Sequence, residues 1–386
     1  MRVTAGQIHQ LAASVPERFQ YPDRHMPADN TSEPSALHKA FEGLTAFASA
    51  ASLADKGKWI AELLAIADLA TPMAVRVAAT LRIADHITRG RRTAPELAET
   101  VNADADALDR LLRHLVTAGV LRRDASGRYA LTGRGDALRD DHPIGIRAVL
   151  DIESAIGRAE LSFVQLLHTV RTGEPAFPVQ FGLSFWQDLK SDPARSASFD
   201  TQMGYDIAAD APAIVSAYDW GSLGHVVDVG GGNGALLTAM LSKYPTLQGT
   251  VVDLLDTAEA ARKTFAAAGF ADRADVVACS FFDALPPGAG GYLLSAILHD
   301  WDDDAARTIL RRCAEAAGTD GSVFVVEKIG ADGGSLHTGM DLRMLAYFGG
   351  RERGVDELTA LAADSGLRVA AVHPADTLAI VELTAL

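Results

Sequence analysis

Three groups of residues carry chemistry in this chain, and all lie beyond residue 225. The first is the run Gly230-Gly231-Gly232-Asn233-Gly234, entered directly from the apolar stretch Val226–Val229 and followed by a helical pattern from Ala235. Consecutive glycines let the backbone turn sharply and let a ligand come closer than any Cβ would allow. The helix start behind them offers unpaired backbone N–H groups. The second is Asp253, which ends the next apolar run, about twenty residues on, where a carboxylate can accept hydrogen bonds from both ribose hydroxyls. The pair reads as a nucleotide-type site; the plainer alternative is a tight strand-to-helix turn with Asp253 capping the following helix. With Ala235 included, the loop also passes as G-x-G-x-x-A, a dinucleotide fingerprint. The third is His299, just past the apolar run YLLSAIL, at the strand end where open α/β sheets bind ligands. An imidazole with an ordinary pKa of about 6.5 can take up a proton near neutrality. Asp300, Asp302 and Asp303 crowd the same turn, so a histidine merely capping a helix is the alternative. No metal site is expected, since His337 and Asp341 lack further ligands. An acyl-transfer nucleophile is not expected either, because no G-x-S-x-G elbow occurs.

These groups need a scaffold. With 386 residues, 48% hydrophobic and 22% charged, the chain suits a soluble protein of two domains. No stretch reads as the roughly 18 apolar residues of a bilayer span, and the N-terminus has no basic head followed by an apolar core. The two cysteines, Cys279 and Cys313, do not make a disulfide framework. A cytoplasmic location is the expectation. The net charge of −15 argues against nucleic acid and anionic lipid as partners. Residues 1–35 hold four of the fifteen prolines and read as an irregular arm. From 36 to 145 the pattern is helical, with Pro72 forcing a break or kink. Within it, Thr93 and Glu96 form a capping box, a second helix runs from about Asp104 to a stop at Gly119, and VLRR and RYALT flank a turn. Helix, turn, helix and hairpin make a winged-helix arrangement. Its second helix carries as many acids as bases, so structural or dimerising use is favoured over groove reading. Residues 146–220 read as a helical linker and substrate-pocket segment. From 221 to 386, apolar runs alternate with helices, as in a parallel sheet covered on both faces, and LRVAAVH and LAIVEL read as an antiparallel pair at its edge, reversing at PADT.

In order along the chain, DVGGGNG, VVDL, SFFDALP, LLSAILHDW, VFVVEK, GMDLRML and GGRER resemble the motif series of plant-type small-molecule O-methyltransferases. The series is most similar to that of bacterial members acting on aromatic polyketides, notably the naphthoate O-methyltransferases of enediyne antibiotic pathways. The likeness runs from about Ala61 to the C-terminus and leaves the first sixty residues unexplained. It implies a class I methyltransferase Rossmann-like sheet, parallel with an antiparallel edge, preceded by an α-helical winged-helix-like dimerisation domain. It further implies S-adenosyl-L-methionine as cofactor, S-adenosyl-L-homocysteine as product, and a homodimer formed through the N-terminal domain. Carried over by position, Gly230 and Gly232 face the methionine part of the cofactor, Asp253 and Leu254 hold the ribose, and Phe281 lies against the adenine. Ser280 and Ser295 stand where the plant enzymes usually have Asp and Lys.

For methyl transfer, the resemblance makes His299 the general base and names Glu327 and Glu352 as the carboxylates that flank it; the plainer alternative is a surface ion pair of Glu327 with Lys328 and of Glu352 with Arg351 or Arg353. A phenol of pKa near 10 is roughly 3.5 units weaker an acid than an ordinary imidazolium, about 5 kcal/mol uphill for full proton transfer. A more basic imidazole, a more acidic phenol or concerted transfer must close that gap. Asp300 is expected as a turn residue on the ligand side. Trp186, Met203, Met344 and Phe348 are candidates to line a flat pocket for an aromatic acceptor, and Arg147 or Arg343 could receive a carboxylate on it. The reading that results is an O-methyltransferase acting on a phenolic aromatic small molecule of secondary metabolism. Its rivals are a relative that binds the same cofactor but hydroxylates or decarboxylates, a ligand-responsive winged-helix regulator, and an NAD-dependent enzyme.

Overall fold

The computed structural model describes residues 58–386 except 331 and 336, so the expected arm over 1–35 lies outside the described residues. Chain contacts divide the protein at Asp68–Leu69. The described part of the first unit is helix α1 (Lys58–Ile66). The second unit opens with α2 (Ala70–Thr80), with Pro72 in its first turn, and α3 (Ile83–Thr88). The stretch Trp59–Thr80 is, by length and composition, apolar enough to cross a bilayer, which corrects the expectation of no such stretch. The chain leaves helical geometry between α1 and α2, and Trp59, Leu63, Ile66 and Leu69 are all more than half exposed.

The winged-helix arrangement forms as its caps require. Helix α4 (Ala94–Val101) starts at Thr93, whose hydroxyl accepts from the Glu96 N–H while the Glu96 carboxylate accepts from the N–H groups of Arg92 and Thr93. In α5 (Ala105–Thr117), Asp104 caps the N-terminus, Leu108, Leu112 and Leu115 are buried at helical spacing, and Gly119 with φ +70 follows the end. Each buried leucine contributes on the order of 2 kcal/mol from area removed from water. On the outer face of α5, Arg110 pairs with Asp106 and Arg113 with Asp109. Strands β1 (Leu121–Arg123) and β2 (Tyr129–Leu131) close the unit as an antiparallel hairpin.

Short helices follow, among them Phe185–Ser191, and then the long α6 (Pro193–Ala217). The sheet contains β3 (His225–Val229), β4 (Gln248–Asp253), β5 (Ala274–Ala278), β6 (Gly291–Ser295), β7 (Ser322–Glu327), β8 (Leu367–Ala375) and β9 (Leu378–Ala385), in the order β5-β4-β3-β6-β7-β9-β8. Strands β3 to β7 are parallel, and β9 and β8 are antiparallel. Helices α7 (Ala235–Lys243), α8 (Leu255–Ala268), α9 (Asp303–Ala317), α10 (Thr338–Phe348) and α11 (Val355–Asp364) pack around it. The central strands are buried on both faces, with Val227 and Val229 in one apolar cluster and Val226 and Val251 in another. The chain leaves β3 toward β4 and β5, then returns to place β6 on the other side of β3. That reversal opens a crevice at the carboxyl ends of β3 and β6, where ligands bind in such sheets.

Two local readings change. PADT is not all turn: β8 continues through Pro374 and Ala375, and the reversal is Asp376-Thr377, with Asp376 at φ +60. An edge strand tolerates proline because its outer side needs no donor. YLLSAIL is not all strand: β6 stops at Ser295, Ala296 takes φ +53, and a tight turn Leu298–Asp300 follows. A non-glycine residue in left-handed geometry is strained and persists where its surroundings hold it.

Candidate active site

The glycine loop is built as its sequence requires. Gly230, Gly232 and Gly234 have φ of +76, +60 and +76. A Cβ on Gly230 would lie 2.5 Å from Ile297 Cδ1, and one on Gly231 would lie 2.6 Å from the Asp228 carboxyl, whereas at Gly232 nothing lies within 4 Å. The loop is therefore packed from beneath and open at Gly232. Asp253 is tied to it, because its carboxylate accepts from the Gly232 N–H at 2.9 Å and from the Leu254 N–H at 2.7 Å. The side chain does not cap α8, which starts at Leu254 without a side-chain cap. Leu254 is 64% exposed.

Phe281 lies 3.5 Å from the Cβ position of Gly230 and packs edge-on to Trp301. Ser280 caps the turn below it by accepting from the Phe282 N–H. Ser295 ends β6 opposite Val326. Asp228 went unremarked in the sequence, although an acid inside VVDVG is the signal that could have found it. It is 2% exposed beneath the loop, its Oδ2 has no partner, and burial together with Asp253 pushes its carboxyl up to about 7.

His299 sits in the tight turn after β6. Its Nδ1 lies 3.1 Å from Glu352 Oε1 and 3.3 Å from Glu327 Oε2, and its Nε2 lies 3.5 Å from Asp300 Oδ1. Glu327 ends β7 and Glu352 follows α10, and both side chains are under 5% exposed. These carboxylates are no surface partners of Lys328, Arg351 or Arg353. Glu327 also accepts from the Leu298 N–H, and the Glu352 N–H donates to Asp341. Burial works against charge on His299, yet Glu327, Asp300 and Glu352 outweigh it and hold the imidazole up at about 10. Burial pushes Glu327 up to about 7 and Asp300 up to about 6.

The segment Gly350–Arg353 clamps the histidine turn. A Cβ on Gly350 would lie 2.1 Å from the His299 carbonyl oxygen, so only glycine fits there. Arg353 is 2% exposed at its side chain and donates to the carbonyls of Leu298 (2.6 Å) and Trp301 (2.7 Å) and to Asp303 (2.8 Å). Sequence reasoning missed both residues; the paired glycines and paired arginines of GGRER were the available signal.

An aromatic group faces the same turn. Trp186 is stacked between Phe348, at 5.2 Å and 16°, and Trp301, at 6.0 Å and 11°. Met344 and Tyr347 are buried beside Phe348 on α10. Met203, on α6, is 37% exposed and lies outside this cluster; the next residue, Gly204, meets Asn233 of the glycine loop. The two arginines considered for a carboxylate are engaged elsewhere. Arg147 pairs with Asp140 and Asp151, and Arg343 pairs with the largely buried Glu160, which also takes Arg76 and the Tyr347 hydroxyl.

The site thus joins an open glycine loop, the Asp253 carboxylate tied to it, a histidine backed by buried carboxylates and a flat aromatic wall. Residues 163–368 match the O-methyltransferase domain, and residues 64–140 match the O-methyltransferase dimerisation domain. A 2,7-dihydroxy-5-methyl-1-naphthoate 7-O-methyltransferase of Streptomyces carzinostaticus is 59% identical over 324 residues, which is 84% of this chain and 97% of that protein. An O-methyltransferase of neocarzinostatin biosynthesis, crystallised with S-adenosylmethionine and 2-hydroxy-5-methyl naphthoic acid, superposes with a TM-score of 0.80 at 59% identity over 83% of this chain and 98% of its own. Aclacinomycin 10-hydroxylase of Streptomyces purpurascens is 44% identical over 79% of this chain and 83% of its length. The chain belongs to the O-methyltransferase family and is an S-adenosylmethionine-dependent O-methyltransferase.

Proposed function

We propose that this enzyme methylates a phenolic hydroxyl of a hydroxynaphthoate-class aromatic acid in antibiotic biosynthesis, with His299 as general base. The observation that carries the assignment is the imidazole held between the buried carboxylates of Glu327 and Glu352 and the partly buried one of Asp300, at the mouth of the β3–β6 crevice. The loop fits the cofactor: Gly230 and Gly232 admit its methionine part, Asp253 and Leu254 hold the ribose, and Phe281 with Ser280 and Ser295 borders the adenine. When bound, S-adenosylmethionine supplies a methyl carbon already activated by its sulfonium. The chain must then align the hydroxyl and accept its proton.

Nδ1–H of His299 donates to Glu352, with Glu327 behind it, and this leaves Nε2 to receive the phenolic proton. With the imidazole held at about 10, the gap to a phenol of pKa about 10 closes, and with it the roughly 5 kcal/mol of uphill transfer. Trp186, Met203, Met344 and Phe348 wall the acceptor, and Asp300 borders it on the Nε2 side. Residues 146–220 and 221–386 supply pocket and catalytic domain. The segment 36–145 pairs two chains, and the exposed apolar side chains of α1 supply the contact.

The 44% identity to a hydroxylase makes product identity the decisive readout. Purified enzyme is given S-adenosylmethionine and a panel of hydroxynaphthoates, and products are read by mass spectrometry for wild type and His299→Ala. The expected result is a product heavier by one methylene, formed about 10²–10⁴ times more slowly by the variant, with S-adenosylhomocysteine bound equally by both. A hydroxylated or decarboxylated product, or a variant within fivefold of wild type, overturns the assignment.

A further inference from the structure

The β1–β2 hairpin carries a feature that methyl transfer does not use. Arg92, Arg122, Arg123 and Arg128 converge with Asp124, Tyr129 and Ala130 on a cleft of about 260 Å³. Three adjacent segments supply the arginines. Arg122 lies opposite Ala130 in the hairpin register, Arg128 precedes β2, and Arg92 lies beside β2, where its carbonyl accepts from the Tyr129 N–H. Ala130 puts only a methyl group among them.

Arg123 is already engaged. It lies over the Tyr129 ring, donates to the Gly127 carbonyl and faces Asp109 at 3.8 Å. Among the described residues, Arg92, Arg122 and Arg128 have no acid partner within 4 Å. Two carboxylates stand close by, each with one oxygen tied to backbone: Asp124, which lines the cleft, accepts from the N–H groups of Ser126 and Arg128, and Glu96 from those of Arg92 and Thr93. Asp124 and Glu96 act on Arg128 through space, yet the cleft sets four guanidinium groups against one carboxylate, and like charges gathered on one surface repel one another. A ligand that carries the missing negative charge removes that cost.

We infer that this cleft is a binding site for an anion of two linked phosphates, the diphosphate of a nucleotide or free pyrophosphate. Guanidinium forks hold phosphate oxygens two at a time, and arginines supplied by three segments can grip both phosphates of a diphosphate at once. The volume lies just under the roughly 300 Å³ at which pockets for drug-sized ligands begin, which suits a compact anion. Duplex DNA fits less well. The exposed face of α5, the helix that would enter a groove, is neutralised by its Asp106–Arg110 and Asp109–Arg113 pairs, and Asp104 stands at its start.

The test is calorimetric titration of the full chain, saturated with S-adenosylhomocysteine so that the glycine loop is filled. Pyrophosphate, ADP, orthophosphate and sulfate are compared at matched ionic strength. Pyrophosphate should bind at least tenfold more tightly than orthophosphate or sulfate. The double variant R122Q/R128Q should weaken it at least tenfold, with methyl-transfer rate and thermal midpoint unchanged, and Arg92→Gln should give the same direction from a separate segment. ADP binding well above pyrophosphate assigns the site to a nucleotide; equal binding assigns it to free diphosphate. Unchanged affinity in the variants, pyrophosphate no tighter than sulfate, or preferential capture of duplex DNA at about 0.15 M salt overturns the inference.

Discussion

Replacing Glu352 by Gln keeps the shape of the His299 pocket and removes one of its three charges. At the observed 3.1 Å separation, a unit ion pair at an effective dielectric near 20 is worth about 5 kcal/mol. Burial opposes that attraction, and the net result of all three acids is a rise from 6.5 to about 10, roughly 5 kcal/mol of preference for the charged ring. Loss of one acid should therefore lower the imidazole pKa by about one to two units. The wild-type ring is protonated at neutrality, with about one in a thousand molecules carrying the free base at pH 7. Wild-type kcat/KM should thus climb with pH across the range from 7 toward 10. In Glu352→Gln the acid limb should move down by about one to two units, and the plateau should fall about tenfold because the base is weaker. The assay is a pH–rate profile with saturating S-adenosylmethionine, paired with ¹⁵N NMR of the His299 ring nitrogens. A variant profile that superimposes on wild type refutes the electrostatic account. So does a wild-type profile already flat at pH 7, or a neutral His299 ring at that pH.

Three further outcomes follow from the same geometry. Arg353→Met strands the carbonyls of Leu298 and Trp301 and the Asp303 carboxylate; it should cost about 3 kcal/mol in urea unfolding and lower kcat more than it alters cofactor affinity, with partial recovery in Arg353→Lys. Gly350→Ala forces a Cβ against the His299 carbonyl; it should cost about 1–3 kcal/mol and displace the His299 turn, seen as reduced kcat and a changed ring shift in NMR. At micromolar concentration, light scattering should report a dimer, and replacing Trp59, Leu63 and Leu69 together by Ser should yield a monomer; a monomeric wild type would refute the pairing.

Much of this protein can be read from its residues in order. The glycine run, Asp253, the capping box at Thr93, the winged hairpin and the alternation of strand and helix are local in sequence, because φ > 0, cap geometry and side-chain periodicity are set within a few positions. The motif order extended that reading to the cofactor and the reaction. Tertiary structure alone decided how His299 is tuned. Its three acids come from positions 300, 327 and 352, and whether such a carboxylate is a solvated surface charge or a buried partner depends on packing that no local pattern encodes. The same holds for Arg353, which looks like any surface arginine beside a glutamate until the fold buries it against the histidine turn, and for Arg343, whose Glu160 lies on another element, whereas Arg147 pairs with Asp151 only four residues on. Short-range geometry follows from residue type; burial, and with it the strength of every charge, follows only from what the rest of the chain brings alongside.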